Sequence, residues 1–440
     1  MRIIVVGAGP TGLFTSIALA RRGHEVLLLD RDPGPPERGS WHRKSVMQFH
    51  HAHTFRGPVV EELRREMPDV LTDLESAGAV VVVGPDGRPV ALLCRRVTFD
   101  SVLHRQARRE PRLTFHAGHV DGLVLESGSV AGVTVSGRRF DADLVVDASG
   151  RAGKLTGDLR APAEGGDCGA VYVDRQYRLR DGASPASANS PIGLSLNFSG
   201  YFAIVFLHDD RTFSITFAHD GSDRRLRGLR RADAFEAAVN AIPGLCEWNE
   251  PWRASPISDV RPGGKLYNTY RGQMDRAGRL AAPGLVSVGD AVCTTTPLAG
   301  RGVTLALLQA HALIGLLDEC GTDVYGVTTE FDQWCTDNIR PWFDDHRRCD
   351  ADRIRRWAGG DVDVTRPLPS DLVVAAAAAD ATLRPAVEPY ARMDALPTSL
   401  GAVEPRAREI FANGWRPAEP DGPTRAELAE LCERRAAQVA

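Results

Sequence analysis

The chain has 440 residues, with 43% hydrophobic and 25% charged residues and a formal net charge of −4. A chain of this length is expected to form two or three domains with buried cores, and its ordinary composition excludes global disorder. The absence of a basic excess excludes nucleic acid as an expected partner.

Cysteine usage and hydropathy indicate the compartment. The eight cysteines contain no C-x-x-C pair, a pattern that predicts neither a disulfide framework nor a zinc site. We expect no membrane span, because no apolar run reaches about eighteen residues. The apolar N-terminus is interrupted by glycines and a proline, so we interpret it as folded structure and not as a targeting segment. These features predict a cytoplasmic protein without a resident metal.

The first thirty residues predict a nucleotide-binding unit. Residues 3–6 and 26–29 are apolar runs typical of buried parallel strands, and residues 13–22 have helical spacing. The turn between the first strand and the helix contains Gly7, Gly9, Pro10, Thr11 and Gly12. Its glycines permit a tight turn and let a pyrophosphate approach the helix N-terminus. Asp30 ends the second strand, where a carboxylate can accept both ribose hydroxyls.

Two later segments also run from a buried strand into an acid. Residues 144–146 precede Asp147, which opens a small-residue turn. Residues 285–288 lead into Gly289 and Asp290, and residues 305–317 then have the apolar spacing of a helix.

Together these motifs resemble the flavoprotein hydroxylase family related to para-hydroxybenzoate hydroxylase. The matching segments are GAGPTG (7–12), LLLDR (27–31), DASGR (147–151) and VGDAVCTTTPLAGRGVTLAL (288–307). They anchor residues 1–155 and 280–345 and imply FAD as the cofactor.

The resemblance implies roles by position. Thr11 and the glycines would meet the pyrophosphate, Asp290 a ribityl hydroxyl, and Pro297 the flavin ring. Backbone N–H groups at the start of the following helix would stabilise negative charge on the reduced flavin. The predicted cofactor-binding residues are Gly7, Gly9, Pro10, Thr11, Gly12, Asp30, Arg31, Arg43, Arg105, Val120, Asp147, Gly289, Asp290, Pro297, Gly300, Gly302 and Val303.

Some of these assignments have competitors. Arg43 is the candidate for the FAD phosphates, with Lys44 as its substitute. The backbone of Val120 matches a position used against adenine. Arg105 matches a family arginine near FAD, and the alternatives for that role are Arg95, Arg96 and His104.

A histidine segment follows the second strand. Residues 46–53 are similar to the V-P-Q…H-x-H pattern of flavin epoxidases and monooxygenases from bacterial natural-product pathways, with Met47 replacing the proline. His51 and His53 are therefore predicted to contact flavin or substrate, with a structural loop as the alternative. We predict Pro297, His51 and His53 as the catalytic set. His50, His51 and His53 lack the cysteine or carboxylate that would complete a metal site.

The rest of the chain predicts a second layer and a helical tail. Alternating runs over 168–219 indicate an antiparallel sheet, and its aromatic residues would roof a substrate pocket. The segment 220–255 is predicted to be helical, and further helices are predicted over 331–357 and over 374–382. The aromatic residues of the sheet are Tyr172, Tyr177, Phe198, Tyr201, Phe202, Phe206, Phe213 and Phe217.

The predicted fold is α/β. A Rossmann-like FAD-binding domain with a parallel sheet (1–160 and 275–345) holds an inserted antiparallel substrate-binding sheet (161–274), and a C-terminal helical region follows (346–440). The tail could cover the pocket or mediate a dimer, and both a monomer and a homodimer fit the sequence.

The implied activity is that of an FAD-dependent monooxygenase. A flavin hydroperoxide would transfer one oxygen atom of O2 to an apolar or aromatic small molecule, by hydroxylation or epoxidation, in secondary metabolism. NAD(P)H is the expected electron donor, and a partner flavin reductase is the alternative.

Other enzymes of this fold remain open. A flavin-dependent halogenase would require a W-x-W-x-I-P motif, which PWRASP (251–256) does not match. An alkene reductase of the geranylgeranyl-reductase type is compatible with the FAD motifs. A non-catalytic carrier is disfavoured, because simple binding needs no charge-stabilising helix at the flavin.

Overall fold

The computed structural model describes residues 1–43, 46–157 and 159–437. Its strands, in chain order, are β1 (Arg2–Val6), β2 (Glu25–Asp30), β3 (Phe55–Arg56), β4 (Val80–Val83), β5 (Pro89–Leu93), β6 (Leu113–Ala117), β7 (Val120–Glu126), β8 (Ser129–Val135), β9 (Arg138–Asp141), β10 (Leu144–Asp147), β11 (Glu164–Asp167), β12 (Ala170–Leu179), β13 (Gly193–Phe198), β14 (Tyr201–Leu207), β15 (Thr212–Asp220), β16 (Ala254–Pro256), β17 (Arg261–Gly263), β18 (Tyr267–Tyr270), β19 (Leu285–Ser287) and β20 (Cys293–Thr294).

The α-helices are α1 (Pro10–Arg21), α2 (Gly57–Glu66), α3 (Pro68–Ser76), α4 (Arg96–Ala107), α5 (Ala232–Asn240), α6 (Pro243–Cys246), α7 (Gly302–Cys320), α8 (Val324–Asn338), α9 (Arg340–Trp357), α10 (Ser370–Ala376), α11 (Arg384–Arg392), α12 (Glu404–Ala412) and α13 (Arg425–Ala437). Short 3-10 turns at 289–291 and 297–299 precede α7.

A five-stranded parallel sheet in the order β19-β10-β1-β2-β6 forms the centre of the molecule. Its apolar strands are covered on both faces, as the wholly apolar runs predict. One face packs against α1, α4 and α7, and the other packs against the small antiparallel sheet β7-β8-β9. The Rossmann-like prediction is confirmed.

The inserted antiparallel sheet is also confirmed, in the order β13-β14-β15-β12-β16. One face of this sheet forms a second core with α5 and α13. The opposite face turns toward the parallel-sheet layer. A further sheet, β11-β18-β20, includes part of the 289–303 segment, because β20 lies within that segment and pairs with β18. The sheet β3-β5-β4, which the sequence did not predict, lies beside α2.

The tail departs from two sequence predictions. The predicted helix 331–357 is two helices, because α8 ends at Asn338 and α9 begins at Arg340 with Pro341 in its first turn. Proline has no N–H for the preceding turn and is tolerated only at a helix start. The predicted helix 374–382 is wrong in position, since α10 ends at Ala376 and Asp380 caps a separate 3-10 turn.

The C-terminal helices divide between the two cores. Helices α10, α11 and α12 pack into the core that contains α1 and α7, whereas α13 packs against α5. The segment 220–255 holds α5, α6 and short 3-10 turns, and strands β15 and β16 reach into its two ends, so less of it is helical than predicted.

Helix α7 is long and apolar enough to cross a membrane by length and composition, the one helix of the described residues for which this holds. Half of its most apolar window is buried inside the protein. Leu307, Ala310, Leu313 and Ile314 belong to the core shared with α1. This burial accounts for the composition of α7 without a membrane.

Candidate functional site

The site is built where the carboxyl ends of four neighbouring parallel strands meet. Strands β1, β2, β10 and β19 end at Val6, Asp30, Asp147 and Ser287, on the same edge of the sheet. Ligands of such sheets bind in the crevice outside these ends. Gly289 lies so close to Thr11 that a Cβ on Gly289 would be 2.8 Å from Thr11 Oγ1. The two segments distant in sequence therefore share one crevice.

The first glycine turn has the shape that a pyrophosphate needs. Gly7 has φ +108°, and a Cβ there would collide with the Ala148 carbonyl. A Cβ on Gly12 would collide with the Gly7 carbonyl. A Cβ on Gly9 would meet only Arg96 Nη2, at 3.9 Å, so this position opens into free space. Pro10 stands in the first turn of α1, whose N-terminus offers unpaired N–H groups. These features fit FAD.

Asp30 lies at the rim of this turn. Its carboxylate accepts hydrogen bonds from the N–H groups of Ala8 (2.6 Å) and Asp32 (2.8 Å). The Asp30 carbonyl accepts from Gly118 (2.8 Å), which brings the start of β7, and thus Val120, beside it. Asp30 and Val120 therefore lie on one side of the crevice. Arg31, the next residue in the chain after Asp30, is exposed.

Arg43 is held by carboxylates and not free in the crevice. Its guanidinium pairs with Asp30 (2.7 Å), donates to the Ala8 carbonyl (2.8 Å) and lies 3.5 Å from Asp100. It borders the glycine turn, so its predicted role toward the phosphates stays a prediction. Lys44, its predicted substitute, lies outside the described residues.

Arg96 is the arginine that the structure brings to the glycine turn. Its Nε donates to the buried Asp100 at 2.6 Å, and its Nη2 faces Gly9. Arg105 is exposed near the far end of the same helix, α4. The geometry favours Arg96 over Arg105, and the assignment of Arg105 remains a prediction. His104, another alternative, is buried against Gly34.

Asp147 points into the protein. It accepts hydrogen bonds from the N–H (3.1 Å) and hydroxyl (2.5 Å) of Ser149 and lies 3.5 Å from Ser287 Oγ. These contacts shape the turn after β10. Asp290, in contrast, has an exposed side chain, yet the surrounding protein raises its pKa to about 6 by desolvation. An accessible carboxylate in such a dense environment is typical of a deep crevice.

The turn before α7 is fixed from outside the parallel sheet. Gly300 has φ +62°, and a Cβ there would be 2.9 Å from Thr54 Cβ. Arg56 Nη2 donates to the Ala299 carbonyl at 2.7 Å. Pro297, Gly300, Gly302 and Val303 are all half-buried around this turn.

Arg301, in the same turn, is bound by side chains of the C-terminal helices α9 and α11. Its guanidinium lies 3.2 Å from Asp345 and 4.7 Å from each of the ring centroids of Trp342 and Tyr390. Asp345 also accepts from the hydroxyls of Tyr390 (2.7 Å) and Ser370 (2.5 Å). The sequence did not predict this contact, because the partners are far apart in the chain.

The two predicted histidines belong to one hydrogen-bonded loop. His51 Nδ1 lies 2.9 Å from Asp174 Oδ1, and the Ala52 N–H donates to Asp174 Oδ2 at 2.8 Å. His53 Nδ1 lies 2.9 Å from the His51 carbonyl, which can only accept. Burial, with a smaller contribution from the charge of Arg96, lowers the pKa of His53 to about 3, so its ring is neutral at pH 7.

A mixed apolar and polar face of the inserted sheet lies above this loop. Tyr172 and Asp174 of β12 register with Ala218 and Thr216 of β15. Leu298, from the turn before α7, packs against the same face in a cluster with Tyr172 and Phe202. Tyr177, Phe198, Tyr201, Phe213 and Phe217 pack instead in the second core. Only part of the predicted aromatic roof therefore faces the crevice.

Asp174 is a residue of this site that sequence reasoning missed, as it also missed Arg56 and Arg301. Asp174 occupies one position of an alternating strand, and a charged residue within that run was the available signal.

Comparisons with known proteins agree with this geometry. The family described as "FAD dependent oxidoreductase" matches residues 2–87. The chain is 31% identical, over 73% of its length and 76% of the relative's, to the FAD-dependent monooxygenase notI' of Aspergillus versicolor. It is 30% identical to kynurenine 3-monooxygenase of Salinispora tropica, over 73% of this chain and 72% of that protein.

Two further similarities are more limited, the first in length and the second in sequence identity. D-amino acid dehydrogenase 2 of Ralstonia nicotianae is 39% identical over 74 residues, and the match spans only 17% of that protein. The solved flavin-dependent brominase Bmp2 has a TM-score of 0.62 at 15% identity, covering 100% of this chain and 99% of that one. At this identity the structural likeness shows the fold alone.

Proposed function

Because the chain belongs to the FAD-dependent monooxygenases related to para-hydroxybenzoate hydroxylase, we propose that it inserts one oxygen atom of O2 into an apolar or aromatic small molecule. The reaction is a hydroxylation or an epoxidation. The observation that carries the proposal is that the segment before α7 contacts both the inserted sheet and the glycine turn: Leu298 packs against the cluster of Tyr172 and Phe202, and Gly289 lies against Thr11.

The residues around the glycine turn would hold the FAD. The turn and the α1 N-terminus would bind its pyrophosphate, with Arg96 as an additional cation. Asp30 and Val120 would lie at the adenosine end, and Asp290 would bind the ribityl chain. The cofactor, when bound, supplies electron transfer from NAD(P)H and the activation of O2.

The turn before α7 would complete the site at the flavin ring. Gly302 and Val303 place their backbone N–H groups in the first turn of α7, where negative charge is stabilised. The Gly300 N–H is bonded to the Pro297 carbonyl at 2.9 Å and shapes the turn instead. Arg56 adds positive charge to the same turn, whereas the charge of Arg301 is offset by Asp345. These groups favour the reduced, negatively charged form of the cofactor.

The substrate would lie under the inserted sheet. Tyr172, Phe202 and Leu298 provide an apolar wall that excludes water, which protects a reactive oxygen species from unproductive breakdown. Thr216 has a buried hydroxyl without a partner among the described residues. This wall fits a mainly apolar molecule with a polar group.

The purified protein tests the proposal directly. It should carry FAD, oxidise NAD(P)H with consumption of O2, and incorporate label from ¹⁸O2 into a turned-over substrate, followed by mass spectrometry. Reduction of the flavin only when a separate reductase is added would identify a partner protein as the electron donor. Oxygen-independent saturation of an alkene, or a chloride-dependent product, would contradict oxygen insertion and identify a reductase or a halogenase.

A further inference from the structure

Asp174 is a buried carboxylate bound by a histidine and a backbone N–H, with Arg261 of β17 as its neighbour across the strand pair. Its side chain is fully buried in the middle of β12. Its two oxygens accept from His51 and from the backbone of Ala52, and no other ion pair of Asp174 is found in the described part of the chain. A buried carboxylate costs free energy unless its contacts compensate it. With these two contacts the carboxylate can orient the imidazole that it pairs with.

The Asp174–His51 pair lies at the wall of the proposed substrate crevice. Thr216, across the strand pair from Asp174, has an unpartnered buried hydroxyl, and Tyr172 packs edge-on against His51 with ring centroids 5.0 Å apart. Three residues after His51, Thr54 touches Gly300 of the turn before α7. The pair therefore links the inserted sheet to that turn.

The hydrogen bonds decide which nitrogen of His51 carries the proton. A carboxylate accepts and does not donate, so His51 Nδ1 carries the hydrogen that points to Asp174. In the neutral ring, Nε2 is then left with its lone pair. A second carboxylate contact, to the Ala52 N–H, prevents Asp174 from rotating away from the imidazole.

We propose that Asp174 is a positioning residue that holds His51 with Nε2 open to the crevice, as the acceptor for an O–H group of the substrate. The inference rests on the proposed monooxygenase function. The proton would move from the substrate oxygen to Nε2, and the charge of Asp174 would offset the imidazolium that forms. The same proton returns to the product or to water before release.

The other titratable and charged groups around this pair are few. Arg261 lies near Asp174 and donates to the His50 carbonyl at 3.0 Å. The groups around the pair are His50, His53, Tyr172, His208 and Arg261. Burial lowers the pKa of His53 to about 3 and that of His208 to about 4. These two rings stay neutral at pH 7, so they do not compete for the substrate proton.

Nuclear magnetic resonance of the oxidised holoenzyme with ¹⁵N-labelled histidine tests the tautomer. His51→Gln assigns the His51 signals. We expect a protonated Nδ1 and an unprotonated Nε2 in the unmodified protein at pH 8. In Asp174→Asn, a single amide oxygen cannot serve both donors. When it accepts from Ala52, the amide NH2 faces Nδ1, and we expect the Nε2–H tautomer to become detectable.

The matched control is Asp209→Asn. Asp209 is an equally buried acid at the end of the same sheet, but it binds Arg95 and Thr98. This variant should leave the His51 tautomer unchanged. A protonated Nε2 in the unmodified protein, or identical His51 signals in Asp174→Asn, would overturn the proposal.

A chemical probe tests whether Nε2 is open. Diethyl pyrocarbonate acylates an unprotonated imidazole nitrogen, with release of ethanol and CO2, and peptide mass spectrometry locates the product. His51 should react in the holoenzyme, and at least fivefold more slowly in Asp174→Asn than in Asp209→Asn. An unreactive His51 in the unmodified holoenzyme would contradict an open Nε2. Neither measurement requires turnover, so both distinguish this inference from a failure of the monooxygenase function.

Discussion

Gly289 is the residue at which the two halves of the proposed cofactor site meet. Its φ of +69° favours glycine, and any Cβ would press on the side chain of Thr11. A substitution of Gly289 has two separate effects. The first is the backbone strain that any L-residue has at this positive φ, and the second is a displacement of the Thr11 side chain, which is specific to this position.

Gly289→Ala should therefore weaken FAD binding beyond its effect on stability. We expect a loss of about 1–2 kcal/mol in the free energy of unfolding and at least a tenfold rise in the FAD dissociation constant, measured by flavin fluorescence titration. Gly278→Ala is the control, since Gly278 has φ +73° and no atom within 4 Å of its would-be Cβ. Equal losses of FAD affinity in both variants would contradict the role of the Thr11 contact.

Residues differ in how far the sequence predicts them. Gly7 and Gly12 could be predicted because a backbone conformation and a close approach are local requirements that only glycine meets. The His51–Asp174 pair could not, since its members are 123 positions apart and meet only through packing of the inserted sheet. Arg96 and Arg105 lie on the same helix, α4, and only the orientation of α4 in the fold shows which of them faces the glycine turn.

At the scale of elements, the turn before α7 depends on helices that come later in the chain. Arg301 is bound by Asp345 of α9 and stacked on Tyr390 of α11. The alternating runs of the inserted sheet were predicted well, because half-buried strands have a clear period. The α8–α9 break was missed, although Pro341 marks it, because the apolar spacing continues across it.

Asp345→Asn should loosen this turn. Breaking a buried ion pair by removing one partner costs about 3–5 kcal/mol, and we expect denaturant unfolding to report a loss of that order. Hydrogen exchange should rise in peptides that contain residues 297–303. Asp361→Asn removes an exposed partner of Arg416 and should change neither measurement. Unchanged exchange at 297–303 in Asp345→Asn would show that α9 does not hold the turn.

At the scale of the whole molecule, buried histidines couple stability to pH. Burial is the main cause that lowers the pKa of His50, His104 and His208 to about 4 and that of His53 to about 3. In the unfolded chain these rings bind protons near pH 6.5. Between pH 6.5 and about 4 the unfolded state therefore binds more protons, and acidification destabilises the folded state.

The free energy of unfolding should fall from pH 6.5 to 4, with each such histidine contributing a slope of up to about 1.4 kcal/mol per pH unit. Burial raises the pKa of Glu62 to about 7 and that of Asp290 to about 6. Protonation of these two acids in the folded state opposes the loss of stability on acidification, but they are fewer than the four histidines. Urea unfolding across this range measures the slope, and His208→Gln should reduce it. A free energy that is flat or rises on acidification would contradict buried neutral histidines.

The position of β19 in the central sheet sets an order of events during biosynthesis. This strand pairs with β10, yet it is made about 140 residues later, and Asp345 and Tyr390 follow later still. A nascent chain on the ribosome can form the first glycine turn early but lacks the later parts of the proposed cofactor site. We therefore expect cofactor loading to wait until the chain through Tyr390 has been made.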